Sequence, residues 1–205
     1  MIFLRYESFR SYLRLYPVTS AILAVNLVLF ALLELMGGST NTLNLIRFGA
    51  FIQFPGNPWG LEEPWRYVSS QFLHIGWEHL LFNCFSILVF APPLEKLLGS
   101  AKYAVFYLLC GISGNVFSAF LNTGPGLSAG ASGAIYGVFG AYLHLAVLRK
   151  YSLDEASRKT VYTILIFGVI YSIIVPGINI WAHIGGAVGG FALFGLFARK
   201  DKRRY

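Results

Sequence analysis

The chain has 205 residues, 56% hydrophobic and only 12% charged, with a mean hydropathy of +0.62. Soluble domains carry roughly 25% charged residues, so the composition excludes a water-soluble globular protein and indicates a polytopic membrane protein. The formal charge of +7 is spread between apolar segments rather than gathered on one surface, which reads as membrane orientation and not as nucleic-acid binding.

Residues 1–17 mix Arg5, Arg10 and Arg14 with Phe3, Leu4, Tyr6, Phe9, Tyr12, Leu13 and Tyr16, a composition suited to a short helix in the headgroup region. Residues 18–36 are long enough to cross a hydrocarbon core that needs about 20 apolar residues, and are expected to remain as an uncleaved first span, since no small-x-small cleavage site follows. Residues 37–76 form the longest connection, yet they are rich in Leu, Ile, Phe and Trp. Disorder does not suit that composition, and partly helical structure near the outer interface is expected. Within it, Trp65-Arg66 is either an ordinary interfacial pair, which is the default, or a structural lock on the fold.

Span two is predicted over 77–90 and carries His79 and Asn83 on one helical face. Pro92-Pro93 is expected to end it, with Glu95, Lys96 and Lys102 in a charged turn. Span three covers 103–121, with Ser113-Gly114 as a close-packing point, and an uncharged Gly/Pro loop follows over 122–131. Span four covers 132–148, and Gly133, Gly137 and Gly140 give it a smooth face for a neighbour. A charged loop over 149–159, span five over 160–175 and a turn at 176–179 lead to span six over 180–198. There His183 shares a face with Gly186 and Gly190. Cys84 and Cys110 lie inside apolar runs, with neither disulfide nor metal-ligand spacing.

Fourteen of the sixteen Lys and Arg residues fall in alternate connections, leaving only Arg47 and Arg66 in the others. Both termini are therefore expected in the cytoplasm, and residence in the plasma membrane is expected as well. The chain divides into an interfacial segment 1–17, a six-span all-α domain 18–198 and a basic cytoplasmic tail 199–205. Spans two, four and six then all begin at the outer face, which brings His79, Ser132 and His183 to one depth.

Gly130-Ala131-Ser132-Gly133 places a serine where a loop becomes an apolar helix. Small residues there also let helices pack closely, so the quartet alone does not establish chemistry. Serine becomes a nucleophile when a base takes its proton, and histidine is the usual base. His183 can serve Ser132, whereas His144, about 18 Å further along the same helix at ~1.5 Å per residue, cannot; it reads as an ordinary residue near the cytoplasmic end. His79, Asn83 and the Ser132 backbone N–H at a helix N-terminus are candidate donors to a developing oxyanion.

In order and spacing, Glu63-x-Trp65-Arg66, His79-x-x-x-Asn83, Gly130-x-Ser132-Gly133 with Tyr136, and Ala182-His183-x-x-Gly186-x-x-x-Gly190 resemble the rhomboid family of intramembrane serine proteases, over about residues 49–190. The resemblance implies a six-helix bundle in the lipid bilayer whose Ser132/His183 dyad opens to the outer side. It implies cleavage of other proteins' transmembrane segments with no metal, cofactor or nucleic acid. It further implies that Tyr136 stacks near His183 and that Trp65-Arg66 holds the first loop. The alternative is a rhomboid-like adaptor that binds client helices without cutting them; such relatives typically lack the dyad. A solute transporter would need a polar path across the bilayer, whereas the polar groups here cluster at one end.

Overall fold

The computed structural model describes residues 2–149 and 152–198. The proposed tail 199–205 lies outside the described residues. The elements in order are α1 (Phe9–Leu15), α2 (Pro17–Leu35), α3 (Thr42–Phe48), β1 (Phe51–Gln53), α4 (Arg66–Ser69) running into a 3-10 turn (Ser70–Phe72), α5 (Gly76–Leu98), α6 (Ser100–Leu121), β2 (Gly126–Ser128), α7 (Ser132–Leu148), α8 (Glu155–Ile174) and α9 (Ile180–Phe197). Among the described residues the regular structure is helical apart from two three-residue strands. Five helices among the described residues, α2, α5, α6, α8 and α9, are long and apolar enough to cross a membrane. Their outward faces carry Leu27, Val28, Phe85, Val105, Ile166, Phe167 and Ile173, all exposed, as expected where lipid is the solvent.

The centre of the bundle is α7. It is apolar on every side, and a helix of that kind must be surrounded; residues 133–142 are buried without a break. With 17 residues it is only about 25 Å long at ~1.5 Å per residue, the shortest of the long helices. It packs mainly on α9 and α6. Gly133 and Gly137 of α7 meet Gly186 and Gly190 of α9 so closely that a Cβ on either α9 glycine would overlap a carbonyl oxygen of α7. The glycine faces expected from the sequence are thus the contact itself, and small residues are what permit it.

Three boundaries overturn expectation. Pro92-Pro93 does not end the second long helix, and Glu95 and Lys96 are helical rather than part of a turn: α5 continues to Leu98. A proline removes the N–H that would bond the carbonyl four residues back, which frees Leu88. Arg5 and Tyr12 from the N-terminal segment donate to that oxygen, and Tyr142 donates to the Phe90 carbonyl at 2.7 Å. Partners distant in sequence therefore carry the helix through. Helices α6 and α8 also start earlier than expected, at Ser100 and Glu155, the latter capped by Asp154 accepting from the Ser157 N–H.

Glu95 is buried at the end of the bundle where α2 begins, and its carboxylate accepts from the backbone N–H groups of Val18 and Thr19, from the Thr19 hydroxyl at 2.6 Å and from Ser100 at 2.7 Å. It caps α2, whose first N–H groups have no partner within their own helix, and a negative charge suits a helix N-terminus. Glu95→Ala should lower stability by about 2 to 4 kcal/mol, because buried donors are left unsatisfied. Thermal unfolding in detergent measures this, and an unchanged midpoint would mean that water replaces the carboxylate without loss.

At the opposite end the 37–76 connection is ordered, as its composition predicts. Arg66 is buried, with Nε on Glu63 at 2.8 Å and Nη1 on the carbonyls of Ile46 and Ala50 at 2.7 and 2.9 Å; Trp65 stacks 4.6 Å away. The pair locks the loop. The strand β1 within it pairs antiparallel with β2, Phe51 opposite Ser128 and Gln53 opposite Gly126. The uncharged Gly/Pro loop over 122–131 is thereby tied to the first loop.

Candidate active site

Every polar residue singled out from the sequence as site-forming lies at one end of the bundle, where α5, α7 and α9 begin. The α7–α9 glycine contact sets their first turns side by side. His183, 7% exposed in the first turn of α9, stacks on Tyr136 with ring centroids 4.1 Å apart and planes 10° from parallel. Tyr136 lies one turn along α7 from Ser132, so the imidazole is held against the helix that carries the serine. Among the described residues, Ser132 Oγ and His183 make no hydrogen bond to one another. A base and its nucleophile are often loosely matched until substrate binds.

His79 approaches from α5. Its Nδ1 accepts the Ile75 N–H at 3.3 Å, and a neutral imidazole that accepts at one nitrogen carries its proton on the other, here Nε2. The ring borders Gly130: a Cβ built there would fall 2.7 Å from His79 Nε2 and 3.7 Å from Ser132 Oγ. Gly130 also has φ +144, a conformation that side chains resist. Its N–H donates to the Ser70 carbonyl at 2.9 Å. Glycine at 130 therefore brings His79 and Ser132 onto one small space. Asn83 is buried on the same face of α5, and its amide donates back to the His79 carbonyl at 2.7 Å, with one N–H left over. Helix α7 begins without a side-chain cap, which leaves its first backbone N–H groups directed out of the helix.

Several residues here escaped sequence reasoning. Ser172 of α8 lies 2.7 Å from His183 Nδ1, yet it sits in an apolar run with no motif around it. His74 is fully buried, edge-on to His79 at 5.3 Å between ring centroids, and burial, with His79 alongside, pushes its imidazole down to about 3. A histidine five residues before His79 was the available signal. Asn179 caps α9 by accepting from the Ala182 N–H and donates to Ser118 at 2.6 Å. With Gln53, Ser118, Asn122 and Ser128 it lines a cleft of about 390 Å³ beside the start of α9. His144, expected to be ordinary, is buried and bonded through Nδ1 to the Phe191 carbonyl at 2.9 Å. Among the described residues, no three His, Cys, Asp or Glu side chains converge as a metal site would need.

Residues 61–200 match the family model for the rhomboid domain. The chain is 37% identical over 204 residues to the candidate rhomboid protease YdcA of Bacillus subtilis (strain 168), covering the whole of both proteins. It is 35% identical over 173 residues to the rhomboid protease GluP of the same organism, which is 84% of this chain and 33% of GluP. It is 33% identical over 135 residues to RHOMBOID-like protein 6, mitochondrial, of Arabidopsis thaliana, 64% of this chain and 43% of that one. An apolar multi-helix bundle, the matched domain and full-length likeness to one relative converge: the chain is an integral, multi-pass membrane protein that belongs to the rhomboid family.

Proposed function

We propose that this protein is an intramembrane serine protease in which Ser132 is the nucleophile and His183 the general base. Family membership supports protease chemistry, and the observation that carries the assignment of residues is the His183 ring stacked on Tyr136, one helical turn from Ser132. Ser132 Oγ attacks the scissile carbonyl as its proton passes to His183 Nε2. That proton then goes to the leaving amine, and water repeats the sequence on the acyl-enzyme. The developing oxyanion would take donors from His79 Nε2, the free N–H of Asn83 and the Ser132 backbone N–H.

The proposed substrates are transmembrane segments of other proteins, met within the bilayer. Residues 18–198 would form one six-span domain, with the short α7 as the fourth span. The distribution of Lys and Arg supports cytoplasmic termini, with the plasma membrane as the proposed location. An adaptor reading draws on relatives whose names say only rhomboid-like. An adaptor needs no activated serine. Incubation with a serine-reactive fluorophosphonate should label the wild-type protein and not Ser132→Ala. Absence of label from folded wild type would favour the adaptor.

A further inference from the structure

The outer half of α8 faces mostly away from the bundle. Of its residues only Ser157, Val161 and Ser172 are buried, the first two near its cytoplasmic end. In the outer half the residue turned inward is thus a serine among exposed isoleucine, valine and tyrosine. Its hydroxyl has three neighbours: the Gly168 carbonyl at 2.7 Å, His183 Nδ1 at 2.7 Å and the Tyr136 hydroxyl at 3.1 Å. Gly168, one turn earlier on the same face, makes room for that phenol, since a Cβ there would fall 2.6 Å from the Tyr136 oxygen. The α8 face at 168 and 172 is therefore shaped around the Tyr136–His183 pair.

A hydroxyl has one hydrogen to give and two lone pairs to accept with. The Gly168 carbonyl can only accept, so the Ser172 hydrogen goes there. His183 Nδ1 and the Tyr136 hydroxyl must then be donors to Ser172. The count closes with all three contacts satisfied, and it fixes the imidazole as the Nδ1–H tautomer, with Nε2 unprotonated and free to act as a base.

We infer that Ser172 is a positioning residue for His183, an uncharged third member that holds the base in its working tautomer and keeps its hydrogen bond when the imidazole becomes charged. The inference rests on the protease reading for its consequence, though not for its geometry. A triad carboxylate does the same work in water-exposed enzymes, but an isolated charge at this depth is costly to bury. A hydroxyl whose own hydrogen is committed to a backbone carbonyl supplies the acceptor without that cost. Because Ser172 stands on α8, the orientation of the base depends on how that helix is packed.

The inference is tested with Ser172→Ala, Ser172→Val and Ser172→Thr on the full chain in detergent and in liposomes. Loss of a hydrogen bond to a charged group is worth about 10- to 100-fold. Ser172→Ala and Ser172→Val should lower kcat by that factor with KM unchanged, and Ser172→Thr, which keeps the hydroxyl, should restore the rate to within about threefold of wild type. A purely structural role predicts instead that Val and Thr, alike in shape, behave alike. In parallel, nitrogen NMR of histidine-labelled wild type, with His183 assigned by its loss in His183→Ala, should find the proton on Nδ1. Finding it on Nε2, or a full rate in Ser172→Ala, overturns the inference. The NMR reading needs no turnover, so a failure of the protease reading would leave it standing as a separate result.

Discussion

Ser132→Ala and His183→Ala should each lower cleavage of a membrane-anchored test substrate by at least roughly 10⁴-fold, and the double variant should be no worse than either single, because members of one catalytic unit are not additive. Both side chains sit at helix starts whose backbone packing is carried by glycines, Gly133 and Gly137 against Gly186 and Gly190. Truncating the serine or the imidazole leaves those contacts untouched, so the variants should stay folded. Initial rates, circular dichroism and thermal unfolding together check this. Substantial cleavage by a folded Ser132→Ala protein would end the assignment of this nucleophile.

The next largest effect is expected at His79 and Asn83. Removing one oxyanion donor costs about 2.7 to 4 kcal/mol, or roughly a hundred- to a thousandfold in rate. His79 should reach that range, since Nδ1 is occupied by the Ile75 N–H and Nε2 faces the space shared with Ser132. Asn83→Ala should cost less, because its amide already spends one N–H on the His79 carbonyl and backbone donors of α7 remain. The competing account makes both residues packing elements, for which an interhelical hydrogen bond in a membrane averages about 0.6 kcal/mol and is felt in stability. Single-turnover rates and unfolding midpoints must be read on the same samples. Full rates with a lowered midpoint would assign the two residues to structure and leave the oxyanion to backbone groups.

The sequence by itself determined whatever follows from short-range periodicity and composition. Membrane class, the approximate spans, the shared face of His79 and Asn83 and the glycine faces at 133, 137, 186 and 190 all follow from helical spacing. The motif order also led to the family. The lock at Trp65-Arg66 was legible only as an alternative, because its acceptors, the carbonyls of Ile46 and Ala50, belong to backbone whose path no local pattern fixes.

Tertiary structure decided the rest, for one physical reason. Inside a bilayer the backbone's polar groups must be satisfied within the protein, and the partners of those left over are chosen by packing, not by neighbourhood in the chain. Pro92-Pro93 reads as a stop because proline breaks a helix locally, yet α5 continues because Arg5, 83 residues away in sequence from Leu88, supplies the missing donor. Glu95 reads as part of a charged turn and is instead the cap of α2. Strands of three residues at 51–53 and 126–128 carry too little pattern to predict, and exist because their pairing joins two loops. Ser172 carries no signal in its own apolar run; it acquires a role only because α8 lies where its hydroxyl meets His183 and Tyr136.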